Sequence, residues 1–161
     1  MNDGPLAFFI TWTVYGTHLP GDIRGWRKYG KGFRAPRPKL AAWCEKHLKH
    51  SVELLSVDER VQVKNAIDEI CNHRQWKLWA SNPRTNHNHA VVSAHGYSGD
   101  TVRDQLKAKC TLELRRLSPK FKGRAVWTRG GFWDCVDTED ELEACINYVN
   151  EAQDRKDRDL D

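Results

Sequence analysis

The chain has no apolar run near the roughly 20 residues needed to span a bilayer, and its first residues show no basic region followed by an apolar core and a cleavage site. A membrane helix and a secretory leader are therefore not expected, and the expected location is the cytoplasm. There is no Cys-x-x-Cys pair; the five cysteines, Cys44, Cys71, Cys110, Cys135 and Cys145, are odd in number and scattered, which argues for reduced and mostly buried thiols over a disulfide framework. No internal repeat or low-complexity segment appears. Tyrosine is scarce, with four in all, so each can be weighed as a nucleophile: Tyr15, Tyr29, Tyr97 and Tyr148. Acid is nearly missing between Arg24 and Lys49, where Glu45 stands against nine Lys or Arg residues.

With 161 residues, 30% of them charged and 39% hydrophobic, the composition is that of one globular domain, 1–161. A basic, irregular insertion is expected at about 24–50 and a frayed, charged tail at about 154–161. Net charge is only +4, but its distribution matters more for a polyanionic partner. Arg24, Arg27, Lys28, Lys31, Arg34, Arg37 and Lys39 form a candidate phosphate-binding surface, although a solvated basic loop would read the same. Seven tryptophans are many for this length, and any exposed one can stack on unpaired bases.

Leu6 to Val14 is β-branched and aromatic, with Phe8, Ile10, Trp12 and Val14 on one face and Phe9, Thr11 and Thr13 on the other, which predicts a central strand. Tyr15 to Trp26 is broken by glycines and a proline and predicts a shaped loop, continued by Gly30, Gly32, Pro36 and Pro38. A helix is plausible over Leu40–His50. Ser56-Val57-Asp58-Glu59 is a capping box, and the apolar spacing behind it carries a helix to about His73. Trp76–Ala80 and Asn88–Ala94 predict an antiparallel hairpin with Asn82-Pro83-Arg84 in its turn. Ser98 opens a helix whose buried stripe is Val102, Leu106, Cys110, Leu114 and Leu117; its outer face carries Arg103, Lys107, Lys109, Arg115 and Arg116, a second surface for backbone contacts. Arg124–Thr128 and Phe132–Val136 predict a second hairpin around Arg129-Gly130-Gly131. Thr138-Glu139-Asp140-Glu141 caps a last helix burying Leu142, Cys145, Ile146 and Val149. This order suits an α+β, ferredoxin-like antiparallel sheet with helices packed on one face.

Two places carry candidate chemistry. His87 and His89 enter a strand two residues apart, so both imidazoles project from one face, roughly 6 to 7 Å apart along the backbone, and can bind one metal ion. A bare His-x-His at a strand entrance is as readily solvated or hydrogen-bonded. Tyr148 flanks the buried stripe of the last helix, where a phenol can be partly exposed and act as a nucleophile if a cation stabilises the developing charge. Core packing is the alternative for this residue.

His87-Asn88-His89, the strand Ile10-Thr11-Trp12 with Tyr15-Gly16-Thr17, and the late-helix run Tyr148 to Gln153 together resemble the single-tyrosine HUH transposases of the insertion-sequence-200 type and their REP-associated relatives. The segment from Thr11 to Trp26 is similar to the N-terminal block of one branch, Thr-Trp-x-x-Tyr-Gly-x-x-Leu-Pro-Gly-Asp-x-Arg-Gly-Trp. The resemblance implies a metal-dependent nuclease and strand transferase acting on single-stranded or hairpin DNA. His87 and His89 would hold Mg²⁺ or Mn²⁺, and Tyr148 would attack the phosphate to give a 5′-phosphotyrosine link. It implies a cytoplasmic, nucleoid-associated protein without a membrane partner, as a monomer or a homodimer, with Arg103 and Lys107 added to the DNA-binding set. Two positions depart from the pattern. Asn88 stands where the family carries a bulky apolar residue, and Ala152 where it carries a Gln ligand, which leaves Glu151 and Gln153 as third-ligand candidates. Gln153 lies about 140° round an ideal helix from Tyr148 and needs a distorted helix to serve. Two other readings stay open: a domesticated nucleic-acid-binding descendant without cleavage, and a structural protein with zinc on His87, His89 and a cysteine.

Overall fold

A computed structural model describes residues 4–28 and 31–152, with the side chain of Ala152 excepted. Tyr29, Gln153 and the tail expected at about 154–161 lie outside the described residues.

The β-branched and aromatic run forms strand β1, Ala7–Thr13, and a small hairpin of β2, Trp26–Lys28, and β3, Gly32–Arg34, follows the Gly-Pro loop. That hairpin falls where the sequence predicts only irregular chain. It is anchored by Trp26, whose Nε1–H donates to the Ala35 carbonyl at 2.9 Å. Helix α1, Pro38–Lys46, begins at a proline, whose missing N–H is harmless in a first turn. Helix α2, Val57–Arg74, carries the expected capping box, with Ser56 Oγ accepting from the Glu59 amide and Glu59 reaching back to the Ser56 amide.

Strand β4, Lys77–Pro83, pairs antiparallel with β5, His87–Ser93. It runs through Asn82-Pro83, which the sequence places in a turn. β4 lies at one edge of the sheet, where a proline lacking its N–H is tolerated, so the strand continues and the connection tightens. Helix α3, Gly99–Leu117, is capped by Ser98 and buries Val102, Leu106, Cys110 and Leu114. Leu117, expected in that stripe, is exposed at the helix end.

The predicted hairpin at 124–136 does not form. Strand β6, Phe132–Val136, pairs with β1, and the preceding chain pairs with the same side of β1 through a Val14–Trp127 bridge and the Thr128 amide bonded to the Thr13 carbonyl. Positive φ values at Gly130 (79°) and Gly131 (137°) let the intervening residues loop out as a bulge, so one interrupted strand replaces two. Helix α4, Glu139–Asn147, is capped by Thr138 and passes into a π-helical turn, Tyr148–Ala152.

The four-stranded antiparallel sheet has the order β4-β5-β1-β6, which with α2 and α3 as crossovers is the ferredoxin-like arrangement. Phe8, Ile10, Trp12, Ala90 and Val92 face α2 and α3 and make the larger core. The opposite face, with Ala7, Ala80, Val91 and Val136, packs on Leu142 and Val149 of the last helix and its turn, so the helices divide between the faces. No helix among the described residues is long and apolar enough to cross a membrane.

Candidate active site

The β1–β5 register sets Thr11 opposite His89 and Thr13 opposite His87, and the β4–β5 register sets Asn82 opposite His89. Directly opposed residues share a face. Both histidines therefore project from the face covered by α4 and its π turn, with ring centroids 4.6 Å apart. The Tyr148 ring lies edge-on to His89 at 5.7 Å and to Phe9 at 5.9 Å. Tyr148 is half-buried at the rim of its helix. Two elements with α3, β6 and α4 between them in sequence thus bring Tyr148 and the His-x-His pair together within one chain.

The imidazoles are held by their Nδ1 atoms. Asn86 Oδ1 is 2.6 Å from His87 Nδ1; an amide oxygen only accepts, so Nδ1 carries the proton and Nε2 the lone pair. Thr11 Oγ1 lies 2.9 Å from His89 Nδ1 and fixes the orientation of that ring, its hydroxyl being able to donate to or accept from Nδ1. His89 is 5% exposed, and its Nε2 is buried without a hydrogen-bond partner. Burial, with the charges of His87 and Arg84 beside it, pushes the His89 pKa down to about 3, so the ring is neutral. A neutral imidazole fixed through Nδ1, with a dry and unpartnered Nε2, fits a metal ligand. Among the described residues no group of three His, Cys, Asp or Glu side chains gathers to hold a metal ion, and Glu151 is exposed. All five cysteines are described, so zinc held by His87, His89 and a cysteine is not assembled.

Asn82 Nδ2 donates to the Val149 carbonyl at 2.9 Å and ties the tyrosine turn to the row that carries His89. Reading Asn82 as a turn residue hid this role. Thr11 could have been found, because strand alternation already set it on the face away from Phe8, Ile10 and Trp12.

The two basic surfaces differ. On α3, Arg103 pairs with Asp100 (3.1 Å) and Asp104 (3.0 Å), Lys109 with Glu69 (3.1 Å) and Glu113 (3.2 Å), and Arg116 with Glu113 (3.0 Å). Lys107 donates to the Thr128 and Gly130 carbonyls at 2.9 and 2.6 Å; burial pushes its pKa down to about 8, and it clamps the bulge before β6. In the N-terminal segment Arg24 is taken by Asp22, through Nε and Nη2, and by the Thr17 carbonyl. Lys28, Lys31, Arg34, Arg37 and Lys39 form no ion pair among the described residues. Phe33 (69% exposed) and Trp43 (58% exposed) stand among them, Trp43 stacked on His47 at 4.0 Å.

Residues 43–152 match the family model described as "Transposase IS200 like". The fold is similar to that of a REP-associated tyrosine transposase solved bound to a REP hairpin, with a TM-score of 0.55 and 9% identity over 97% of this chain and 71% of that one. A more distant likeness, with a TM-score of 0.46 and 12% identity over 92% of this chain and 91% of that one, is to a transposase candidate from Deinococcus radiodurans R1. No curated protein matches the chain.

Proposed function

The chain belongs to the IS200-like transposase family, and on that premise we propose that it cuts and rejoins single-stranded, hairpin-bearing DNA through Tyr148. The observation that carries this reading is the Tyr148 ring against His89 on the face of the sheet from which both histidines project. DNA as the partner is supported by the unpaired cations and exposed aromatics of the N-terminal segment and by the fold shared with a transposase solved on a REP hairpin.

In the proposed reaction the Tyr148 Oη–phosphorus bond forms as the bond from phosphorus to the 3′-oxygen breaks. The phenol proton passes to solvent, the departing oxygen takes one up, and the products are a 5′-phosphotyrosine and a free 3′-hydroxyl. Rejoining is the reverse attack and needs no external energy source. His87 and His89 would hold Mg²⁺ or Mn²⁺, with Glu151 or Gln153 as further oxygen donors. When bound, such a cation supplies positive charge against the phosphate oxygens. Asn86 and Thr11 hold the two imidazoles through Nδ1, and Asn82 holds the tyrosine turn over them. The meeting of the rings within one chain supports a tyrosine that acts on its own subunit's histidines.

The absence of a third His, Cys, Asp or Glu donor beside the pair among the described residues favours a second reading, DNA binding without cleavage. One experiment separates the two. A labelled hairpin library incubated with the protein and Mn²⁺ should give a covalent adduct that survives boiling in detergent. Tyr148→Phe should abolish it while Tyr15→Phe and Tyr97→Phe retain it. Binding without any adduct from the wild-type protein would leave the second reading.

A further inference from the structure

Arg27 reaches from the basic hairpin onto the site face. Its guanidinium carbon lies 4.9 Å from the centre of the Phe132 ring. Phe132 is the first residue of β6 and stands opposite Thr11, which stands opposite His89, which stands opposite Asn82. These four residues form one row across the whole sheet. Facing Cβ atoms are roughly 5 Å apart, so Phe132 lies about 10 Å along the row from His89.

The ends of the row differ. At the β4 edge Asn82 holds the Val149 carbonyl and with it the turn that carries Tyr148. At the β6 edge a guanidinium rests on an aromatic ring and forms no ion pair among the described residues. A guanidinium held over a ring by cation–π attraction makes no hydrogen bond to it, so its N–H groups remain able to take a phosphate bidentately. In a phosphoryl transfer the attacking and leaving oxygens lie roughly in line. The turn that carries Tyr148 is anchored at β4 and its ring meets His89 on β5 and Phe9 on β1, so the β6 edge is the side left for the leaving oxygen and the strand it ends.

We propose that Arg27, seated on Phe132, binds a backbone phosphate of the departing strand, on the 5′ side of the cut, and keeps its 3′-hydroxyl at hand for rejoining. The strand assignment rests on the function proposed above; the phosphate contact does not. Phe132 is a positioning residue, since it acts through the guanidinium.

Two measurements test this. In the first, metal-free protein binds fluorescent dT20 over a salt series. Arg27→Ala should lower affinity about fivefold and reduce the slope of log K against log salt by about 0.7, the share of one phosphate on a single strand. Phe132→Leu should lose affinity without melting earlier, the double variant should lose less than the sum, and Arg27→Lys should keep the slope. Arg74→Ala, at the end of α2, serves as the control. An Arg27→Ala slope equal to wild type would overturn the contact. In the second, Arg27→Ala should impair rejoining of a preformed adduct more than its formation, and equal effects would overturn the strand assignment. If the wild-type protein forms no adduct, the cleavage reading and the strand assignment fall with it, and the dT20 slope still decides Arg27.

Discussion

The two faces of the sheet are built from the same strands and handle polar groups in opposite ways. On the α2–α3 side Asn88 is 0% exposed and its Oδ1 and Nδ2 have no hydrogen-bond partner, whereas the buried Glu59 and Glu113 carboxylates on the helices are bonded. Trp12, the cross-strand neighbour of Asn88, has an unpartnered Nε1 as well. On the α4 side the polar residues are tied down, His87 by Asn86, His89 by Thr11 and Asn82 to Val149, and the Nε2 of His89 has no hydrogen-bond partner. Unpartnered polar atoms on the first face cost stability, whereas the unpartnered Nε2 of His89 on the second belongs to a ring that lies against Tyr148. The larger core and the proposed chemistry thus fall on strand positions of opposite parity.

The largest expected effect tests that separation directly. Ile67→Ala, on the larger core where Ile67 is fully buried, should cost about 2 to 5 kcal/mol in denaturant unfolding and leave the adduct formed per folded molecule near wild type. His89→Ala should do the reverse: at least about a hundredfold less adduct, with melting far less affected. If His89→Ala unfolds the protein like a core truncation, the histidine is structural and the comparison breaks.

Much of this division was legible in the sequence. Alternation in Leu6 to Val14 and the spacing of His87 and His89 gave the two faces, and the capping boxes at Ser56 and Thr138 located two helix starts because each is a local hydrogen-bond pattern. What stayed hidden depends on distant pairing. Nothing local says that Arg124–Thr128 would share β1 with β6 instead of folding back, or that Asn82 would continue an edge strand. The basic surfaces show the same limit with a usable clue: α3 carries Asp100, Asp104 and Glu113 at helical spacing from its cations, while the segment from Arg24 to Lys49 has only Glu45. Acid spacing, not the count of lysines and arginines, separated neutralised charge from available charge.

A pH titration sharpens the comparison next. The His89 pKa is about 3 in the folded chain against an ordinary value of 6.5, so below pH 6.5 the unfolded state binds a proton that the folded state does not. Its contribution is fully present above pH 6.5 and is lost as pH falls toward 3, adding up to about 1.4 kcal/mol per pH unit to the acid loss of stability of the metal-free protein. His89→Asn should make that fall shallower, as measured by urea unfolding at each pH. An unchanged slope would mean that His89 takes up its proton in the folded chain and is not held in a dry site.

Asn82→Ala should act more gently. Losing one hydrogen bond, worth about 1 kcal/mol, loosens the tyrosine turn over the histidines without touching them. Adduct formation should slow about fivefold while dT20 affinity stays level. A parallel drop in affinity would place Asn82 against DNA instead of behind the tyrosine.

The smallest effect has the opposite sign and comes from the other face. Asn88→Val removes two buried polar atoms that lack partners, each of which costs about 1 to 3 kcal/mol when left unmade, and sets a β-branched residue in a central strand. Against this, valine has one heavy atom fewer than asparagine, and the small void left behind takes back part of the gain. The balance is a stabilisation of about 1 kcal/mol, read as a higher urea midpoint at constant slope, with adduct formation unchanged. The opposite result has a specific meaning, because Trp12 Nε1 is unpartnered on the adjacent strand. A buried water joining Asn88 to Trp12 would satisfy both, and then Asn88→Val and Trp12→Phe would each destabilise, with the double variant losing less than the sum. Additive effects, with Asn88→Val stabilising, would leave Asn88 as a polar residue on the folding face with no partner to keep it there.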